Sequence, residues 1–398
     1  MQLMKLENKL RKLPMLKGNI PALAISDFIS SNGWSIFEVI WQPFVLSLGA
    51  TIPILGGLSS IHTILGSGLQ AITGRFSDFI GRKSLQMVSF VLGIAAVTIC
   101  LIASVWILLI PAVICFGLST AFMEPANMSM IAESVKERKR GMAFGIIAVT
   151  WFIPGLYATI IGGYLAALYG FSTTFMIIFF ADSLSLLIFA VFVKETLTEK
   201  KKVDFHAILN SLKGLVKPRF GLSRFYVAVV LHNFRWALGS LIFLGMLTET
   251  YNFTLFQLGI LEAAFCAVTS LSQIPFGWLV DRYGRKPFLI ISELIRIIPL
   301  IGYIFSNSFF EFLIFRGMMG VAVATWIPAF QAYISDAVPE DERARHIGDL
   351  NALGGLIAFP APFIGGILFD ALGFDAPILT SLILVVTTLL VLITIKKR

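Results

Sequence analysis

Apolar runs of about 20 residues recur along this chain from residue 20 to residue 395, and nothing constrains its fold more. They read as spans at 20–46, 52–73, 84–103, 106–131, 142–168, 172–193, 222–247, 255–276, 287–306, 309–334, 347–369 and 374–395, numbered 1 to 12 in that order. A run of this length is what an α-helix needs to cross the hydrocarbon of a bilayer. Alternating apolar and polar residues, the mark of a membrane β-barrel, are absent, so the spans are helices. Composition agrees: 57% of the 398 residues are apolar, 14% are charged, and mean hydropathy is +0.87. A water-soluble domain carries about 25% charged residues. The expected class is an all-α polytopic membrane protein of 12 transmembrane helices.

Charge orients the chain. Arg235, Arg296 and Arg316 lie deep within spans. The other Lys and Arg residues fall in or beside the termini and the loops that follow spans 2, 4, 6, 8 and 10. The odd-numbered loops carry no basic residue, and Glu249, Glu311, Asp370 and Asp375 lie in or beside them. The positive-inside rule then puts both termini and the even loops in the cytoplasm, with the plasma membrane as the expected location. The net charge of +8 therefore reports membrane orientation and not a nucleic-acid partner. Residues 1–17 place Leu3, Leu6, Leu10 and Leu13 at helical spacing between lysines, as an amphipathic segment on an anionic lipid surface would.

The chain is written twice. Gly74-Arg-Phe-Ser-Asp78-Phe-Ile-Gly81-Arg82-Lys83 returns as Gly277-Trp-Leu-Val-Asp281-Arg-Tyr-Gly284-Arg285-Lys286, an offset of 203 residues. At the same offset Pro125 meets Pro328, Glu133 meets Asp336, Arg140 meets Arg343, Gly162-Gly163 meets Gly365-Gly366, and Gly170-Phe171 meets Gly373-Phe374. Six spans per copy make the copies parallel, related by a two-fold axis along the membrane normal with a cavity between them. The division expected is a cytoplasmic segment 1–17, a first bundle 18–193, a cytoplasmic linker 194–221 and a second bundle 222–398.

The Gly-x-x-x-Asp-x-x-Gly-Arg-Lys loops resemble the signature loop of the major facilitator superfamily, and span count and repeat resemble it along the whole chain. The resemblance implies two pseudo-symmetric six-helix bundles that move a small solute. It also implies a latch between bundles at Gly74, Asp78, Gly81, Arg82, Lys83 and Glu133, and at Gly277, Asp281, Gly284, Arg285, Lys286 and Asp336. Span 1, ending Glu38-Val-Ile-Trp-Gln42-Pro43, resembles that of the drug–proton antiporter branch. Two features depart from that branch. The arginine expected in span 4 is replaced by Val113, although Arg316 and Gly320 restore the pattern in span 10. Span 5 reads Ala158-Thr-Ile-Ile-Gly162-Gly163 without the branch's Gly-Pro.

A charge at a helix centre costs at least about 2.5–3.5 kcal/mol on insertion scales, so each one needs a reason. Asp27, Glu38, Glu124 and Glu262 are candidate proton carriers. Asp27 and Glu38 stand eleven residues apart on one helix face with Ser31 and Trp34. Trp34, Asn127, His232, Asn233, Arg235 and Trp236 are candidates for lining the solute cavity, with Arg235 expected to pair with a carboxylate of the first half. Glu262 has no local partner in sequence, and Arg316 is placed to reach a carboxylate of a neighbouring span. Glu293 and Arg296, three apart on span 9, read as a structural ion pair. Asp182 has no assigned role.

No Gly-x-x-x-x-Gly-Lys-Ser/Thr loop occurs, so ATP is not the expected drive. Four scattered histidines and Cys100, Cys115 and Cys266, all within spans, form no metal pattern. No cofactor and no enzymatic activity are expected. The reading is a monomeric secondary transporter exchanging protons for amphipathic or cationic small molecules. The alternatives are symport or uniport of a small organic anion or metabolite, and a non-transporting sensor on the same fold.

Overall fold

The computed structural model describes residues 18–136, 139–197 and 221–395, with backbone only at 71, 74, 75, 78 and 340–345. The amphipathic segment 1–17, most of the linker and the side chain of Asp78 lie outside it.

The described chain is helical, and its helices follow the apolar runs. Span 1 is Ile20–Ser47. Span 2 is Ile52–Gly66 continued by Gln70–Ile80. Span 3 is Arg82–Ile102, and span 4 is Leu109–Glu133 behind a short 3-10 turn. Spans 5 and 6 run together as Arg140–Phe192 but part at Gly170, whose φ of 78° turns the chain back. Span 7 is Ser223–Ser240 with Phe243–Tyr251, and span 8 is Leu255–Tyr283. Spans 9 and 10 are Arg285–Phe305 and Phe309–Ala337. Span 11 is Glu340–Ala358 with Ala361–Leu372, and span 12 is Asp375–Thr394.

The offset of 203 holds in three dimensions. Span 3 begins at Arg82 and ends at Ile102; span 9 begins at Arg285 and ends at Phe305, both displaced by that offset. Gly81 and Gly284, at φ 112° and 95°, end one helix and open the next in the two copies. Lys83 donates to the Ala190 carbonyl at 2.7 Å and Lys286 to the Ile393 carbonyl at 2.7 Å, again residues 203 apart. Each lysine thereby ties its motif loop to the end of the sixth helix of its bundle.

The bundles meet along two seams, span 5 on span 8 and span 2 on span 11. Both seams are glycine. A Cβ on Gly259 would stand 2.5 Å from the Thr159 carbonyl oxygen, and one on Gly56 would run into the carbonyl of Pro362, the repeat mate of Thr159. Gly163 lies against the carbonyl of Leu255, and Gly366 against that of Ile52, at 2.7 Å from its would-be Cβ. These are two pairs of repeat-related contacts, as a two-fold axis requires. In lipid, helices associate through this kind of close packing, because burying apolar side chains gains little.

Candidate functional site

The inner face of span 1 supplies the first wall. Trp34, Phe37, Glu38, Trp41 and Gln42 recur at helical spacing, so all five turn the same way, into a cavity of about 910 Å³ between the two halves. The rings form a ladder: Phe37 stacks on Trp34 at 5.8 Å and on Trp41 at 5.1 Å, and lies 4.6 Å from Phe116 of span 4. Facing them are Ser59 and His62 of span 2, Trp236 and Ser240 of span 7, Glu262 and Phe265 of span 8, and Arg316 of span 10.

Three charges stand in this cavity. Arg316 donates to Glu262 at 2.5 Å, and its guanidinium also lies 4.5 Å from the Phe265 ring and 5.2 Å from the Phe243 ring. Both partners are buried. Glu38 is exposed to the cavity. Among the described residues it makes neither hydrogen bond nor ion pair. With all three ionised, the cavity carries one net negative charge.

Toward the basic loops the cavity continues into a vestibule of about 850 Å³, sharing His62, Trp236 and Leu241. Glu124 lies there and accepts a hydrogen bond from Gln70 at 2.7 Å; Asn233 and Asn351 line it as well. At the opposite end the halves touch. Gly245 N donates to Gln42 Oε1 at 2.8 Å, and these two residues are repeat mates, so the contact sits at the symmetry axis.

The remaining candidates lie elsewhere. Asp27 is buried and receives a hydrogen bond from Asn127 Nδ2 at 3.3 Å; the face that Glu38 and Trp34 turn to the cavity is covered by span 4 at Asp27's level. Arg235 is 2% exposed, lies inside the second bundle, and has no first-half carboxylate beside it. It faces a hollow of about 400 Å³ with Tyr303 and Arg316. His232 pairs with Glu293 at 2.8 Å and stacks on Trp326 with ring centroids 3.8 Å apart. Glu293 also accepts from Arg296 at 2.5 Å, both fully buried, which puts that pair and His232 in the bundle core. The helical repeat explains the separation: His232 and Arg235 share one face of span 7, Asn233 and Trp236 the next, and only the second face meets the other half.

In the motif loops, Arg82 pairs with Glu133 at 3.1 Å and Arg285 with Asp336 at 2.8 Å. Both pairs lie within their own half. A residue that spacing did not suggest completes the first loop. Glu195, just past span 6, accepts from the backbone N–H of Arg82 and of Lys83 at 3.0 and 3.1 Å. It caps the positive end of span 3, and a side chain at Gly81 would strike it. Its repeat mate is Arg398, so the internal offset gives no hint of it.

The Major Facilitator Superfamily model matches residues 23–231 and 224–398. The chain is 25% identical over 372 residues to the multidrug resistance protein MdtG of Proteus mirabilis, covering 90% of this chain and 91% of that one. It is 24% identical over 392 residues to the multi-drug resistance efflux pump PmrA homolog of Lactococcus lactis, covering 96% of each. Among solved structures, it superposes on a bacterial homolog of the human lysosomal transporter Spinster, inward-facing and occupied. There the TM-score is 0.75 at 16% identity, covering 94% of this chain and 95% of that one. The nucleoside transporter NupG gives a TM-score of 0.72 at 13% identity, covering 95% and 98%.

Proposed function

The chain belongs to the major facilitator superfamily and is a multi-pass membrane transporter, not an enzyme; from that premise we propose that it exports amphipathic or cationic small molecules in exchange for protons. The observation that carries the proposal is Glu38, a carboxylate with no hydrogen bond or ion pair among the described residues, in an aromatic cavity between the halves and beside an ion pair that neutralises Arg316. Such a group binds either a proton or a cation, and not both at once. The ring ladder of Trp34, Phe37 and Trp41 gives an amphipathic cation an apolar and cation–π surface. The printed names of the relatives, multidrug resistance and efflux, support this reading.

Charge supports the cation reading over the anion alternative. Glu38, Glu262 and, in the vestibule, Glu124 face one arginine, and Arg235 lies off the path. In the proposed cycle, the solute enters from the cytoplasm through the vestibule and displaces the proton from Glu38. The bundles roll along their glycine seams, the Gln42–Gly245 contact opens, and a proton from outside releases the solute. Arg316 pairs with Glu262, which leaves Glu38 as the carboxylate that takes part in the exchange. The motif loops, with Arg82–Glu133 and Arg285–Asp336, act as the latch at the cytoplasmic rim.

Purified protein in liposomes tests this. An imposed pH gradient drives accumulation of a fluorescent organic cation, and Glu38→Gln abolishes that accumulation. Undiminished gradient-driven uptake by Glu38→Gln, or gradient-independent exchange of an organic anion by the native chain, refutes the proposal.

A further inference from the structure

The two halves differ most where they should agree. In the second bundle, the level between spans 7, 9, 10 and 12 is filled by Arg296, fully buried and paired to Glu293, with His232 beside them. The offset of 203 assigns Gly93 to the place of Arg296, Phe90 to that of Glu293 and Gly33 to that of Trp236. The first bundle thus lacks the buried guanidinium of the second. Gly93 and Gly33 instead line a cavity of about 580 Å³ between spans 1, 3, 4, 5 and 6.

What lines that cavity is specific. Asp182 of span 6 faces it, next to Gly33, and is its one ionisable group. The Asp182 carboxylate accepts a hydrogen bond from Ser30 at 3.2 Å, and no cation pairs with it among the described residues. The Ser89 and Ser119 hydroxyls are spent on each other and on each other's backbone carbonyls, at 2.8–3.1 Å. Trp34, Phe37 and Trp151 stand in the remaining wall, beside aliphatic side chains such as Val97 and Ile178; Trp34, Phe37 and Phe116 also separate this cavity from the central one.

We propose that this first-bundle cavity is a second binding site, for a small organic monocation such as an aryl-alkylammonium, with Asp182 as its counter-ion and the Trp34, Phe37 and Trp151 rings as its cation–π surface. Where the second bundle carries its own buried guanidinium, the first takes a cation from outside. The carboxylate supplies the charge that the cation needs in a low-dielectric site, and the two glycines supply the room. This site does not depend on proton exchange at Glu38.

Equilibrium dialysis of radiolabelled benzyltrimethylammonium against the full-length protein in nanodiscs tests it. Asp182→Asn keeps the shape and the Ser30 bond and removes the charge; the expected result is a loss of about tenfold or more in affinity for one class of site. Gly93→Arg puts the second bundle's guanidinium into the hollow beside Asp182, and the same class disappears. Glu38→Gln leaves it in place. Native-like dialysis curves for Asp182→Asn, loss of all saturable binding in Glu38→Gln, or no saturable binding in the native protein each overturn the proposal. Thermal melts confirm that each variant is folded, and should Gly93→Arg fail to fold, the contrast between Asp182→Asn and Glu38→Gln decides alone.

Discussion

Removing Arg316 should harm the protein more than removing its partner Glu262, although the two share one ion pair. Arg316 and Glu262 are 7% and 3% exposed, and at 2.5 Å with an effective dielectric of about 20 they attract by about 6–7 kcal/mol, part of which desolvation cancels. Breaking such a pair from one side costs about 3–5 kcal/mol. Arg316→Gln incurs that cost in full, since Glu262 is left unpaired near a second carboxylate, Glu38. Glu262→Gln leaves the guanidinium its contacts with the Phe265 and Phe243 rings, worth about 2 kcal/mol when desolvated, and Glu38 becomes its nearest carboxylate. The net cost falls to about 1–3 kcal/mol. With about 2–4 °C per kcal/mol for a bundle of this size, Arg316→Gln should lower the melting midpoint by about 6–20 °C and Glu262→Gln by about 2–12 °C. The double variant should melt no lower than Arg316→Gln, because it leaves no charge stranded. Melting of purified protein in detergent, followed by tryptophan fluorescence, measures all four corners of the cycle. A larger loss for Glu262→Gln, or additive losses in the double variant, would refute the argument.

Two further outcomes follow from the seams and the loops. Gly163→Val and Gly366→Val drive side chains into the carbonyls of Leu255 and Ile52; each should cost about 1–3 kcal/mol or more of overpacking, with closely matched falls in melting midpoint, whereas Gly141→Ala, with nothing within 4 Å, should melt like the native protein. Glu195→Gln weakens the cap on span 3 and should cost a few tenths to about 1 kcal/mol, an effect that added salt shrinks; a salt-independent loss would mean that the carboxylate acts by packing.

Most of the fold is legible before any coordinates. Twelve apolar runs, basic even loops and the 203-residue offset give the helices, their count and the repeat, because lipid admits few alternatives to a helix and two copies of one sequence fold alike. The broken helices at Gly66–Gln70, Ser240–Phe243 and Ala358–Ala361 were not legible, since hydropathy averages over a turn. Site residues fare unevenly for a geometric reason. Insertion cost shows that Glu38, Glu262 and Arg235 need partners or a cavity; which one depends on a rotation of about 100° per residue about the helix axis. That rotation sends Trp236 and Asn233 to the shared path and Arg235 and His232 into the bundle. Glu262 and Arg316 are 54 residues apart, and only packing of span 8 on span 10 joins them. Asp182 drew no role from the sequence because the cavity it faces, beside Gly33, forms only when spans 1, 3, 4, 5 and 6 pack together.

The glycine contacts between the halves carry a mechanical corollary. Faces whose closest contacts are glycine against main chain have few teeth, so either half has few of the other's side chains to climb over in order to turn. At the outer rim the two faces add one hydrogen bond between them, from Gly245 N to Gln42. A proton crossing a gradient of one pH unit delivers about 1.4 kcal/mol, a tenfold bias between two poses. In the exchange cycle proposed above, that bias is the push that would choose which side of the membrane the path faces.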